Sequence, residues 1–180
     1  MQSIIFPWND LRGGHMNIEE KLKNSKSIPD IFEVVKEVVR KTTNSERAGL
    51  MLGLAEMGGS EGFWIGAFYP VGTNMIVMNE TPLRKITETN PRLFNAYCFH
   101  ILLHEYLHSL GILDENITRR ATYDISRAVF GEDHVITEMA RDIRRFLPYI
   151  TYAESSWAPP SDLDIKLVKG FDRSSVSYII

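Results

Sequence analysis

The stretch Leu103-His104-Glu105-Tyr106-Leu107-His108-Ser109-Leu110-Gly111 closes a long apolar run that opens at Pro91. The run is too long for a strand. Leu93, Tyr97, His100, His104 and His108 recur three or four apart, so the spacing predicts a helix ending at Gly111. Residues four apart on a helix share a face, which lets His104 and His108 reach one ion. Glu105 lies one step round, placed to contact a water on that ion without ligating it. Two imidazoles and a carboxylate in this pattern point to zinc, which acidifies its water, and to a carboxylate that moves the proton. His100 lies two turns from His108, about 12 Å by helix rise, so both cannot share one ion with His104. It reads as a core or supporting histidine.

Upstream, Ser27, Pro29 and Asp30 form a helix start, and Ile31, Val34, Val35, Val38 and Val39 follow at helical spacing to about Lys41. Leu50, Leu52 and Leu54 alternate with Met51, Gly53 and Ala55, which predicts a buried strand. Residues 62–69 and 75–79 are two β-rich runs separated by Pro70-Val71-Gly72-Thr73-Asn74, the pattern of a hairpin. Downstream, residues 112–116 read as a turn, with Asp114-Glu115-Asn116 as a solvated capping segment. Thr118 is expected to cap a helix running to Phe130, and Glu132-Asp133 to open another that ends before Pro148. Arg119, Arg120 and Arg127 read as the solvated face of the helix that runs to Phe130, paired with Asp114 or Glu115. Tyr123, Tyr149 and Tyr152, with Arg119 and Arg120, are candidate electrophiles among which spacing does not choose, and Met139 reads as packing. Helix, strands, then helices make an α+β domain with a small mixed sheet.

The 180 residues carry a net charge of −3, which leaves no electrostatic footprint for nucleic acid. No apolar stretch approaches the length of a membrane span. A single cysteine, Cys98, excludes an internal disulfide and fits a reducing, cytoplasmic setting. Gly13-Gly14-His15-Met16 reads as a cloning junction with Met16 as the natural start, which makes residues 1–15 an arm and sets His15 aside; a native arm is the alternative. Residues 16–150 form the expected domain. Residues 151–180 form a linker, marked by Ser155-Ser156 and Pro159-Pro160-Ser161, and a β-prone tail.

Residues 103–111 resemble the active-site helix of zincin metallopeptidases, and residues 62–147 resemble small archaeal-type zincins. That resemblance implies a zincin-like fold, one Zn2+ per chain, and hydrolysis of a peptide or protein substrate with Glu105 as general base and acid. It also implies an edge strand above the helix on which substrate pairs, a place that Ile76-Val77-Met78 would take. Catalytic zinc wants a third protein ligand. Asp114 has the metzincin spacing after Gly111, and Glu138 would be a gluzincin-style ligand. His134, on a downstream helix and beside Glu132-Asp133, is preferred because imidazole is the commoner zinc ligand. The tail could block the cleft as a zymogen segment does in some small zincins, with Asp162, Asp164 or Asp172 capping the zinc, or simply add a strand to the sheet. An exposed edge and an apolar tail allow a homodimer. The competing readings are a closed structural or regulatory zinc module and a zinc amidase acting on a non-peptide substrate.

Overall fold

Apolar side chains at helical spacing need one neighbour to bury them, and the segment after Ser27 meets this on α2 (Ile28–Thr43). The computed structural model of the chain describes residues 15–57, 63–152 and 157–173. Ser27 Oγ accepts from the Asp30 N–H at 3.3 Å, Pro29 sits in the first turn, and Asn44 ends the helix in the left-handed region. Ile31, Phe32, Val35 and Val39 are buried against the centre of the molecule. A short helix, α1 (His15–Asn24), precedes it.

The four-stranded sheet has the order β3-β4-β1-β6. β1 (Met51–Ala55) runs parallel to β4 (Met75–Asn79), with Leu52 opposite Ile76. β3 (Ala67–Phe68) forms the expected hairpin with β4, and β6 (Lys166–Val168) lies antiparallel on β1. Upstream of β3, β2 (Trp64–Ile65) leaves this sheet to pair with β5 (Ile150–Thr151). Ile76-Val77-Met78 therefore belongs to an interior strand, not to the edge expected of it. Its unbroken burial is what a strand covered on both faces requires. The edge on that side of the sheet is β3.

Leu52, Ile76 and Met78 face the main core, whereas Ala55, Met57, Phe68 and Val77 form a second cluster against which Trp157 and Leu163 pack. A Cβ at Gly53 would lie 2.3 Å from Ile165 Cγ2, so the C-terminal segment lies on the strand where a side chain has no room. The tail thus adds a strand, and Phe171 stacks on Phe32 at 4.0 Å. Asp172 accepts from Lys36 Nζ at 2.6 Å and from the Leu50 N–H at 3.1 Å, an anchoring role rather than a zinc cap.

After α3 (Glu80–Thr89) and a 3-10 turn at Pro91–Leu93 comes α4 (Phe94–Ser109). Residues 96–107 of α4 are buried on every side, packed against α2, α5 (Glu115–Phe130) and α6 (Val135–Arg141). α5 begins a turn earlier than expected, because Asp114, not Thr118, is its cap: Asp114 Oδ1 accepts from the Ile117 N–H at 2.9 Å. The helix expected from residue 132 to 147 is shorter, starting after His134 and giving way to a 3-10 turn at Ile143–Arg145. The described part is α+β, and no helix in it is long and apolar enough to cross a membrane.

Candidate metal centre

The last turn of α4 sets the site. Gly111 adopts φ +97°, a conformation that strains any residue with a Cβ, and it folds the chain back so that the Ile112 N–H reaches the Leu107 carbonyl at 3.2 Å. This reversal brings the Ile112 carbonyl under His108, whose Nδ1 lies 2.7 Å from it, and Thr118 Oγ1 donates to the same carbonyl at 2.8 Å. A carbonyl only accepts, so His108 Nδ1 carries the proton and a neutral ring presents a bare Nε2.

Three residues after Ile112, Glu115 opens α5. Its Oε2 lies 3.2 Å from His108 Nε2 and 3.3 Å from His104 Nε2, and the two Nε2 atoms are 3.1 Å apart. Among the described residues, these three form the group of His, Cys, Asp or Glu side chains that could hold one metal ion. Three atoms rich in lone pairs face one another, an arrangement that needs a shared proton or a cation between them. Donors on a tetrahedral zinc are roughly 3.3–3.4 Å apart, given bonds of about 2.0–2.1 Å, so the triangle fits such an ion to within roughly 0.3 Å. Buried His104 Nδ1 has no hydrogen-bond partner among the described residues, so, unlike in His108, no acceptor fixes its tautomer.

Burial opposes a charge on Glu115, yet hydrogen bonds from His104, His108 and Arg119 outweigh it and hold the carboxyl well below the usual range. Burial also opposes a charge on His108, and Glu115 outweighs it and raises the imidazole above its ordinary value. In Glu105, burial dominates and pushes the carboxyl up, against the pull of both histidines and a hydrogen bond from the Tyr69 backbone. Glu105 lines the same cleft as His104, His108 and Glu115, an opening of about 1220 Å³ walled by Phe68 and Tyr69 at the sheet edge and by Trp157 and Leu163.

Of the residues singled out in the sequence, the structure brings together His104, Glu105 and His108. His134 is elsewhere: it caps α6 through Nδ1, which accepts from the Ile136 N–H at 3.2 Å, stacks on Phe130 at 4.8 Å and faces Glu19 at 3.7 Å. A lone pair spent on a helix cap is not offered to a metal. Asp114 lines the cleft but uses its carboxylate as the α5 cap, and Glu138 lies on α6 outside the donor group. His100 is a supporting histidine, with Nε2 2.6 Å from Tyr152 Oη. The residue that sequence reasoning missed is Glu115. Its signal was present: an Asp cap leaves the next residue at the first helical position, where a carboxylate is favoured and Arg119 is its i+4 partner. Comparison of the chain with protein-family models, curated proteins and solved structures finds no match.

Proposed function

We propose that the chain is a zinc-dependent hydrolase of peptide bonds, with His104, His108 and Glu115 as metal ligands and Glu105 as general base and acid. The observation that carries this reading is the triangle of Nε2, Nε2 and Oε2 atoms at the wall of an open cleft, with Glu105 beside it. Zinc, when bound, supplies the acidity that makes a water nucleophilic near neutral pH. Glu105 does the proton work. Its carboxylate accepts the proton as water attacks the carbonyl carbon, and returns it to the amide nitrogen as the C–N bond breaks. Burial raises the proton affinity of Glu105 above that of an exposed carboxylate, the direction that suits a group that must take up a proton.

Three protein donors among the described residues, rather than four, support a site with an open position over a closed structural one. The β3 edge at the cleft, with Phe68 and Tyr69, gives an extended peptide a strand to lie along. A peptide or protein is the substrate class this cleft suits, and the buried free Cys98 suits a reducing cytoplasmic setting.

Elemental analysis of the purified chain, with hydrolysis of a peptide library measured before and after Glu105→Gln, tests the reading. One zinc per chain is expected, retained in the variant while turnover falls about 10²–10⁴-fold. A chain that binds no zinc, or a variant as active as its parent, would overturn it.

A further inference from the structure

One guanidinium touches one proposed ligand directly and, through a tyrosine ring, is linked to a second. Arg119 Nε donates to Glu115 Oε1 at 2.8 Å, while Oε2 of the same carboxylate faces the histidines. The Arg119 guanidinium also lies over the Tyr152 ring, 4.3 Å from its centroid. Tyr152 in turn packs on the His104 imidazole at 4.7 Å with 34° between planes, and its hydroxyl is held by His100 Nε2 at 2.6 Å. The order is therefore guanidinium, phenol, imidazole, with the phenol pinned from behind.

We infer that Arg119 is a positioning residue for the metal centre: it holds Glu115 as a one-oxygen ligand and, through the Tyr152 ring, fixes the plane of His104. The inference rests on the metal-hydrolase reading and adds a device to it. A carboxylate has two oxygens, and with both on the ion it fills the position that a catalytic site keeps open. The Arg119 N–H occupies one lone pair of Oε1 and holds that oxygen away from the histidines. An exposed i,i+4 ion pair on a helix ordinarily touches only its partner; this one is continuous with the buried side of the site.

Cobalt(II) alone is the probe, because the strength of its visible bands falls as its coordination number rises from four. The unmodified chain, Arg119→Met and Arg119→Lys are to be loaded with cobalt(II), and absorption, metal affinity and the thermal midpoint of the metal-free proteins measured. Arg119→Met keeps the apolar stem but loses every N–H. Its bands are expected to be about two- to threefold weaker, its affinity altered roughly 10-fold, and its metal-free thermal midpoint unchanged. Arg119→Lys should fall between the two, since an ammonium can donate to Oε1 but cannot lie flat on Tyr152. Identical spectra and affinities for all three proteins would overturn the inference. A chain that takes up no cobalt whatever stands at position 119 would instead overturn the metal reading, and this inference with it.

Discussion

At the residue scale, the proton on His108 decides what the site can bind. Its Nδ1–H is committed to the Ile112 carbonyl, so a neutral His108 has only Nε2 to offer, and Nε2 points at Glu115 and His104. Without an ion, that geometry is held by a proton on one imidazole, consistent with the raised value of His108. An ion in its place would ask the donors to shift by no more than roughly 0.3 Å. On the proposed reading, removing Glu115 removes a ligand, whereas removing His134 removes only a cap. In a zinc competition titration Glu115→Ala is expected to weaken binding by more than the roughly 10–100-fold that an outer-shell change costs. His134→Ala should leave binding within about twofold and lower stability by about 1 kcal/mol, the typical worth of an N-cap. Equal affinities for Glu115→Ala and the parent would remove Glu115 from the site.

At the element scale, the start of α5 separates a solvated turn from a proposed metal ligand. Asp114 and Thr118 are both good capping residues, and the Thr118 hydroxyl is in fact spent on the Ile112 and Asp114 carbonyls inside the turn. A cap at 118 would leave Glu115 in a loop; the cap at 114 puts it on the helix, four residues before Arg119. Asp114→Ala should therefore cost about 1 kcal/mol of stability in chemical denaturation. Because it frees the first turn that carries Glu115, it should also weaken zinc binding, and an unchanged affinity would show that the loop alone places the ligand. Helices α2 and α4 were legible because their apolar spacing, start signals and Gly111 are all local. The facing of His104, Glu105 and His108 followed from helix geometry alone. The sheet was not legible in the same way. β1 and β4 announce themselves as strands, but their parallel pairing, β3 as the edge and β6 arriving from residues 166–168 are contacts between distant segments that no local pattern encodes. His134 poses a related problem: a histidine at a helix start can cap or ligate, and the position of α6 makes it a cap outside the donor group.

At the scale of the whole molecule, the C-terminal segment and the buried side of α4 carry the stability. Ending the chain after Ala158 removes β6, the Phe171 ring on Phe32 and the Asp172 carboxylate that holds Lys36 and the Leu50 N–H. The expected result is a large drop in thermal midpoint; a truncated chain as stable as the full one would mean that this segment is not part of the fold. Asp172→Ala alone should cost about 1–3 kcal/mol, because it removes the acceptor of the buried Leu50 N–H and one carboxylate from Lys36, which keeps Glu33 at 2.9 Å. The buried side of α4 adds a dependence on pH. Burial, helped by the neighbouring His104, pushes His100 down to about 3, so the folded chain keeps this ring neutral where the unfolded chain, near 6.5, protonates it. Above pH 6.5 neither state takes the proton, and the contribution of His100 to stability is fully present. Below 6.5 the unfolded state binds a proton that the folded state refuses, and that contribution is lost progressively down to about pH 3. By pH 5 the loss is about 2 kcal/mol. His108, raised above its ordinary value, works in the opposite direction, so the comparison must be between His100→Phe and the parent at pH 7.5 and pH 5, both with chelator present. The variant leaves Tyr152 Oη without His100, a cost equal at both pH values that cancels from the difference. The parent should lose about 2 kcal/mol more than the variant between the two pH values; parallel losses would show that His100 takes up its proton in the folded state.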